Sequence, residues 1–358
     1  LASENLVQAA ASQESVVTSI YRSTFAIPSK TNTLDVTGSV HVSSTEETLK
    51  HVCALAAEIW PAMDLRRLQS AFRIFENMTS GRDSRFLALD TPYHDVQHSM
   101  DVTLCTVRLL AGHEANAPLH ERLGANRALV GLLCALFHDA GYLRRKTEKN
   151  VPSGAHFTHF HVTRSAGIIT SLFEDLHLKQ YATLAANLVH FTGYERSLDI
   201  VRPADHRNLL VGRLLGSADL LAQMADRCYL EKVRDRLFDE FVIAGIAGPA
   251  AGPGKCQTPK GLLESTPGFV EATFTKRLDG AFEKAYRRVS PIFVSPYLDS
   301  IQRQMAHLER VIAADDWSLL RRIPPTSQAA IASRQRPSNI VPFPSRPRSA
   351  AAMQRRSD

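Results

Sequence analysis

The chain has 358 residues, 44% of them hydrophobic and 22% charged, which is enough for one sizeable core and ordinary for a globular protein. The longest apolar run, about 128–137, is too short to span a bilayer, and no apolar leader follows a basic start, so no membrane association is expected. The net charge is +6, but residues 324–358 supply +5 of it, through Arg334, Arg336, Arg346, Arg348, Arg355 and Arg356 against Asp358, so no specific nucleic-acid binding is expected of the remainder. The five cysteines are scattered and odd in number, which points to reduced thiols and a cytoplasmic setting. The first residue is Leu1 rather than Met, so the natural N-terminus, with any leader or sensor, is expected upstream.

Residues 1–44 are rich in Ser, Thr and Ala with little hydrophobic periodicity, and an irregular arm is expected there. Thr45-Glu46-Glu47 then opens a helix with acidic first-turn residues, carrying Leu49, Val52, Ala56 and Ile59 on one face and stopping before Pro61. A second helix over about 64–79 repeats the pattern with Leu65, Leu68, Phe72 and Phe75. After Pro92, helical periodicity runs to about Gly112 and places His94 and His98 one turn apart. The helix expected over 120–137 is apolar on most sides and therefore central, and it ends on Phe137-His138-Asp139 followed by Gly141.

Further helices are expected from Phe157 to about Phe173, over 179–191, 206–227 and 229–244, then over 269–288 and 296–314. Residues 245–268 are dense in glycine and proline and are expected to be a long loop or lid-like insertion. Residues 323–358 have the composition of a disordered tail. No segment alternates as a strand does, so the fold expected is all-α, with one domain over 45–322.

An apolar helix that closes on an imidazole beside a carboxylate incurs several kcal/mol of desolvation unless both groups are paired or bind a cation. Other polar residues are stranded on apolar faces in the same way: His98, His161, His190 and Asp219 join His138 and Asp139. Nitrogen and carboxylate donors suit a borderline first-row dication, and six exceed what one ion with an open position uses. Asp139 is therefore expected to bridge two ions, with His98, His138 and Asp219 completing one site and His161 and His190 the other. Two ions a few ångström apart, with a hydroxide between them, form a clamp for in-line displacement at phosphorus.

The run Tyr93-His94-x-x-x-His98-x-x-Asp101-Val102, then His138-Asp139, then Asp219 in Ser217-Ala-Asp-Leu, resembles the HD superfamily of metal-dependent phosphohydrolases, most closely the cyclic-nucleotide phosphodiesterase catalytic domain. The resemblance covers about 60–310. It implies an HD/phosphodiesterase-like fold and hydrolysis of a 3′,5′-cyclic nucleotide or a related phosphodiester. By the same resemblance His94 is the general acid that protonates the leaving oxygen, with His98, His138, Asp139 and Asp219 as metal ligands. The family usually has Asn where this chain has Asp95, which either tunes or orients His94 or caps the helix beginning there.

His161 and His190 resemble the additional ligands of bacterial HD proteins with two protein-held ions, favouring Mn, Fe or Zn over Mg. Two rival activities follow from the same ligand pattern, an HD-type nucleotide phosphohydrolase or phosphomonoesterase and a di-iron oxygenase; a non-enzymatic rival is a degenerate ligand-sensing domain, against which the complete ligand set argues. The purine-selecting glutamine of the family has no match near 269–297. Substrate contacts are sought instead at Tyr93, Arg144, Arg145 and Arg164, the two neighbouring arginines having a solvated basic turn as their plainer reading.

Overall fold

The periodic segments of the sequence are helices in the computed structural model, which describes residues 32–325. Residues 1–31 of the expected arm and 326–358 of the expected tail lie outside the described residues. In chain order the helices are α1 (Thr45–Ile59), α2 (Leu65–Thr79), α3 (Val96–Asn116), α4 (Gly124–Phe137), α5 (His161–Asp175), α6 (Ala182–Leu188), α7 (Leu198–Val201) and α8 (His206–Ala225). Then come α9, which runs Tyr229–Lys232, passes through a π-helical turn at Val233–Leu237 and continues as Phe238–Ile243, α10 (Pro259–Ala272, extended by a π-helical stretch Thr273–Ala281) and α11 (Pro291–Ala314). Among the described residues the only β pairing is two isolated bridges, so the domain is all-α. No described helix is long and apolar enough to cross a membrane.

Local chemistry sets most boundaries. Ser44 caps α1 by accepting from the Glu47 amide, and Asp64 caps α2 by accepting from the amides of Arg66 and Arg67. α4 begins at Gly124 (φ +74°), later than the sequence pattern suggests. Its orphan amides at Leu123 and Gly124 donate to the buried Glu114 carboxylate from the end of α3, at 2.8 and 3.2 Å, so one helix caps the next. From Ala128 to Phe137 α4 is buried on every side, as its composition requires.

The centre is shared. α3 packs on α8, α4, α1 and α11, and α8 in turn packs on α4 and on the turn Val189–Thr192. α3 is buried along almost its whole length although its sequence is far more polar than that of α4. One of those buried polar residues, His98, enters the cluster described below.

Two expectations are corrected. Residues 259–268, expected to be loop, are the first turns of α10: Thr258 accepts from the Gly261 amide and Pro259 occupies the first helical turn, where a missing N–H costs nothing. Only the stretch before Thr258 is irregular, with Gly245, Gly248, Gly252 and Gly254 at positive φ. The helix expected over 269–288 is instead the end of α10 and its π-helical extension, and the chain then reverses at Glu283 and Lys284, both left-handed. Residues 32–44 are irregular as expected, but Val40 and Val42 enter the main core.

Candidate metal centre

His98 lies two residues into α3, where the Asp95 carboxylate accepts from the His98 amide at 3.0 Å and caps the helix. Asp95 is thus occupied as a cap and accepts a second contact from Arg236 Nη1 at 3.4 Å. Of the two roles open to it in sequence, capping is the one its contacts fill.

His138 and Asp139 follow the last turn of α4, and the chain then makes a tight turn at Ala140–Tyr142. A Cβ on Gly141 would sit 1.8 Å from the His161 carbonyl oxygen, so glycine permits this turn to press against the start of α5. That approach brings His161 to Asp139. Arg164 fastens the same junction, donating to the carbonyls of Gly141 and Leu143 at 2.8 and 2.9 Å and pairing with Glu148 at 2.8 Å.

The donors converge closely. His138 Nε2 stands 3.2 Å from His98 Nε2, 3.2 Å from Asp139 Oδ2 and 3.6 Å from Asp219 Oδ1 of α8. His98 Nε2 is 3.4 Å from Asp139 Oδ2 and 3.4 Å from Asp219 Oδ1. The other oxygen of Asp139, Oδ1, faces His161 Nε2 at 3.5 Å. Donor atoms of His98, His138 and Asp139, all buried, lie within 4.8 Å of one another, a group able to hold a metal ion.

Tautomers sharpen this. His138 Nδ1 is 2.8 Å from the Ala135 carbonyl and His161 Nδ1 is 2.8 Å from the Thr158 carbonyl. A carbonyl only accepts, so each Nδ1 carries the proton, and each neutral ring turns its Nε2 lone pair toward carboxylate oxygens. Lone pair against lone pair in a buried site is repulsive, and a cation at the point of convergence removes the conflict. Asp139 Oδ2 is buried with no hydrogen-bond donor, the orphan that a metal would satisfy. Without a cation the same conflict falls on protons. Burial works against a charged His138, yet Asp139 and Asp219 outweigh it and push the imidazole up to about 9. Burial likewise favours a neutral Asp139, and the His138 imidazole reverses this and holds it well below the usual carboxylate range.

His190 is placed differently. It sits in the turn Val189–Thr192, buried, with its Nδ1 unpartnered and burial drawing its pKa down. Among the described residues no carboxylate lies within ion-pair distance of it, so it does not join the contacts of the cluster.

His94 stands just before α3. Its ring centroid is 5.9 Å from that of His98 and 6.1 Å from that of His161, and it stacks on Tyr142 at 4.6 Å, which stacks on His161 at 4.4 Å. His94 Nδ1 donates to Glu240 Oε2 at 2.6 Å. Glu240, in α9, is fully buried and also accepts from the amides of Tyr93 and His94 at 2.6 and 3.2 Å. Burial opposes a charged His94, but Glu240, together with Asp139 and Asp219, more than compensates, and the His94 pKa is raised. Nε2 of His94 is left as the ring's available nitrogen. The sequence reading missed Glu240, which is 146 positions from His94 in the chain.

Compared with protein-family models, curated proteins and solved structures, the chain matches none.

The residues expected to meet substrate are placed less favourably. Tyr93 is buried, its ring packed edge-on against His94 at 5.0 Å between centroids. Arg144 pairs with Asp90 at 2.7 Å and donates to the Val151 carbonyl at 2.8 Å. Arg145 is exposed in a turn closed by its own amide on Glu148, the solvated basic turn. Arg164 spends its donors on the junction described above. Arg144 thus holds the loop in place, and Arg145 has no side-chain contact to the cluster among the described residues.

Proposed function

We propose that this chain is a metal-dependent phosphohydrolase that cleaves a phosphodiester, with a 3′,5′-cyclic nucleotide as the substrate class. His98, His138, Asp139 and Asp219 would hold one divalent ion, and Asp139 with His161 a second. Bound divalent ions supply Lewis acidity toward phosphoryl oxygens and acidify water enough to ionise it near neutral pH. His94 does the rest from the chain's own side: protonated, it gives the Nε2 proton to the departing alkoxide. Glu240 holds Nδ1–H, fixes the ring plane and stabilises the imidazolium before transfer.

The observation that carries this reading is the His94–Glu240 pair, 2.6 Å long and set beside a ligand cluster. A cluster of imidazoles and carboxylates serves oxygen chemistry or ligand sensing equally well. A positioned, buried imidazole whose pKa is held up by a carboxylate serves a leaving group that needs a proton.

Metal analysis of the purified protein, followed by a panel of cyclic mono- and dinucleotides, tests the proposal. The expected outcome is bound Mn, Fe or Zn and a ring-opened 5′-phosphate. An iron-loaded protein giving an O₂-dependent product and no phosphate chemistry would replace it with the oxygenase reading.

A further inference from the structure

Beside the metal centre, between the turn after His190, α7 and the π-helical end of α10, lies an open cleft of about 500 Å³. Five cations and two carboxylates line it. Arg213 is matched by Glu283 at 2.8 Å. Arg277 donates to the carbonyls of Phe191 and Gly193 at 3.0 and 2.9 Å and lies under the Tyr194 ring, 4.5 Å from its centroid. Arg196, Arg202 and Lys276 are exposed and, among the described residues, have neither ion-pair nor hydrogen-bond partners. Asp199, the remaining carboxylate, bonds only to Ser197.

Three unmatched cations facing one cleft repel one another, and an anion seated between them relieves that repulsion. The aromatic component is equally specific. Tyr194 is 66% exposed, yet the underside of its ring is fixed by Arg277, leaving a preformed flat platform. A cleft of this size accepts a ligand larger than an inorganic ion. We propose that this cleft binds a phosphorylated ligand with a planar ring system, a nucleotide-like molecule whose phosphates lie on Arg196, Arg202 and Lys276 and whose base stacks on Tyr194. Arg277 joins the cleft to the metal centre through the turn that follows His190, and the Asp219 carboxylate acts electrostatically on both Arg277 and Tyr194.

The binding claim goes beyond the hydrolytic reading, and only the question of whether the ligand is the substrate or a separate effector rests on it. ADP is the probe, titrated calorimetrically into the full chain in EDTA, so that no metal can take the phosphates. Binding with a Kd below about 1 mM is expected, weakened about tenfold or more in R196A/R202A/K276A and several-fold in Tyr194→Ala, with adenosine failing to bind. All four side chains are exposed, and unchanged melting curves will show that the variants fold. No binding of ADP, or equal binding by the triple variant, overturns the proposal.

With Mn²⁺ restored and bis(p-nitrophenyl) phosphate as a reporter diester, competition by ADP makes the cleft part of the substrate site. ADP binding that leaves KM unchanged makes it an effector site. A wild-type protein that hydrolyses no diester sinks the hydrolytic reading alone, and the titration in EDTA still decides the cleft.

Discussion

α3 buries an ionisable side chain at His98 and another at Arg108, and the two are treated in opposite ways. Arg108 Nη1 pairs with Asp35 at 2.8 Å and donates to the Tyr297 hydroxyl at 2.8 Å. Asp35 in turn accepts from the amides of Ser39 and Val40, both at 2.9 Å, and from Thr37 Oγ1 at 2.7 Å. These contacts run from donor to acceptor. Around His98 the contacts are acceptor to acceptor, with two imidazole nitrogens and two carboxylates aimed at one point. Burial of charge is common to both places. The first secures residues 32–44 to the helical core, and the second is a group that could hold a metal ion.

The comparison is broken most severely at Asp139. Asp139→Ala removes the residue that faces both His98–His138 and His161, and bound metal by mass spectrometry should fall to about a tenth of the wild-type content or less, taking turnover with it. Retention of full metal content would mean that the convergence at His98 is no ligand set. At the other place, Asp35→Ala leaves a buried guanidinium without its counter-charge. Chemical denaturation should show a loss of about 3–5 kcal/mol, with metal content per folded protein unchanged. If instead the metal were lost and stability kept, the two places would have exchanged roles.

How far the sequence reveals this contrast depends on the length over which each signal extends. α1, α2 and α8 were legible because apolar residues recur at helical spacing over several turns, and α4 because it is apolar throughout. The start of α10 was hidden by Pro259, Gly261, Pro267 and Gly268, although Thr258 followed by Pro259 is itself a helix-start signal. Of the site, the ligand types were legible one by one, as polar residues on apolar faces. Their convergence was inferred from their number, whereas the close approach at Gly141 that brings His161 to Asp139 left no trace in the sequence pattern. Glu240 carried no signal, sitting in Asp239-Glu240 of an interrupted helix where a carboxylate ordinarily faces solvent. Arg164 and Asp95 show the limit from the other side: their types suit a catalytic role, and their contacts make one a clamp and the other a cap.

A smaller effect sharpens the role of Glu240. A general acid works only while protonated, so on the proposed hydrolysis turnover should fall as pH rises through the His94 pKa, which Glu240 helps to raise. In Glu240→Gln that alkaline limb should move to lower pH, by about one unit, with about a tenfold loss at the alkaline end and little at the acid end. A uniform loss at all pH values would make Glu240 a positioning residue without electrostatic effect on His94.

The smallest effect concerns the satisfied pair. Burial disfavours the Asp35 carboxylate, but Arg108 and the Thr37 and Val40 donors hold it down to about 2, against 3.8 for the free group. A folded-state pKa below the unfolded one adds stability above about pH 4, lost as pH falls toward 2, and the contribution is about 2 kcal/mol. Comparing denaturation curves of wild type and Asp35→Asn at pH 7 and pH 3 should show the difference between them shrinking at the lower pH. A difference that grows on acidification would contradict the assignment.

The central claim is that the ligand cluster and the acid are separate parts of one site, and His94→Ala tests it most directly. Metal content and turnover of a cyclic nucleotide, measured on the same preparation, should separate: metal retained at the wild-type level, and kcat lower by about 10²-fold or more. Turnover equal to wild type on every substrate that the wild type cleaves, or loss of the metal together with the activity, would contradict the account.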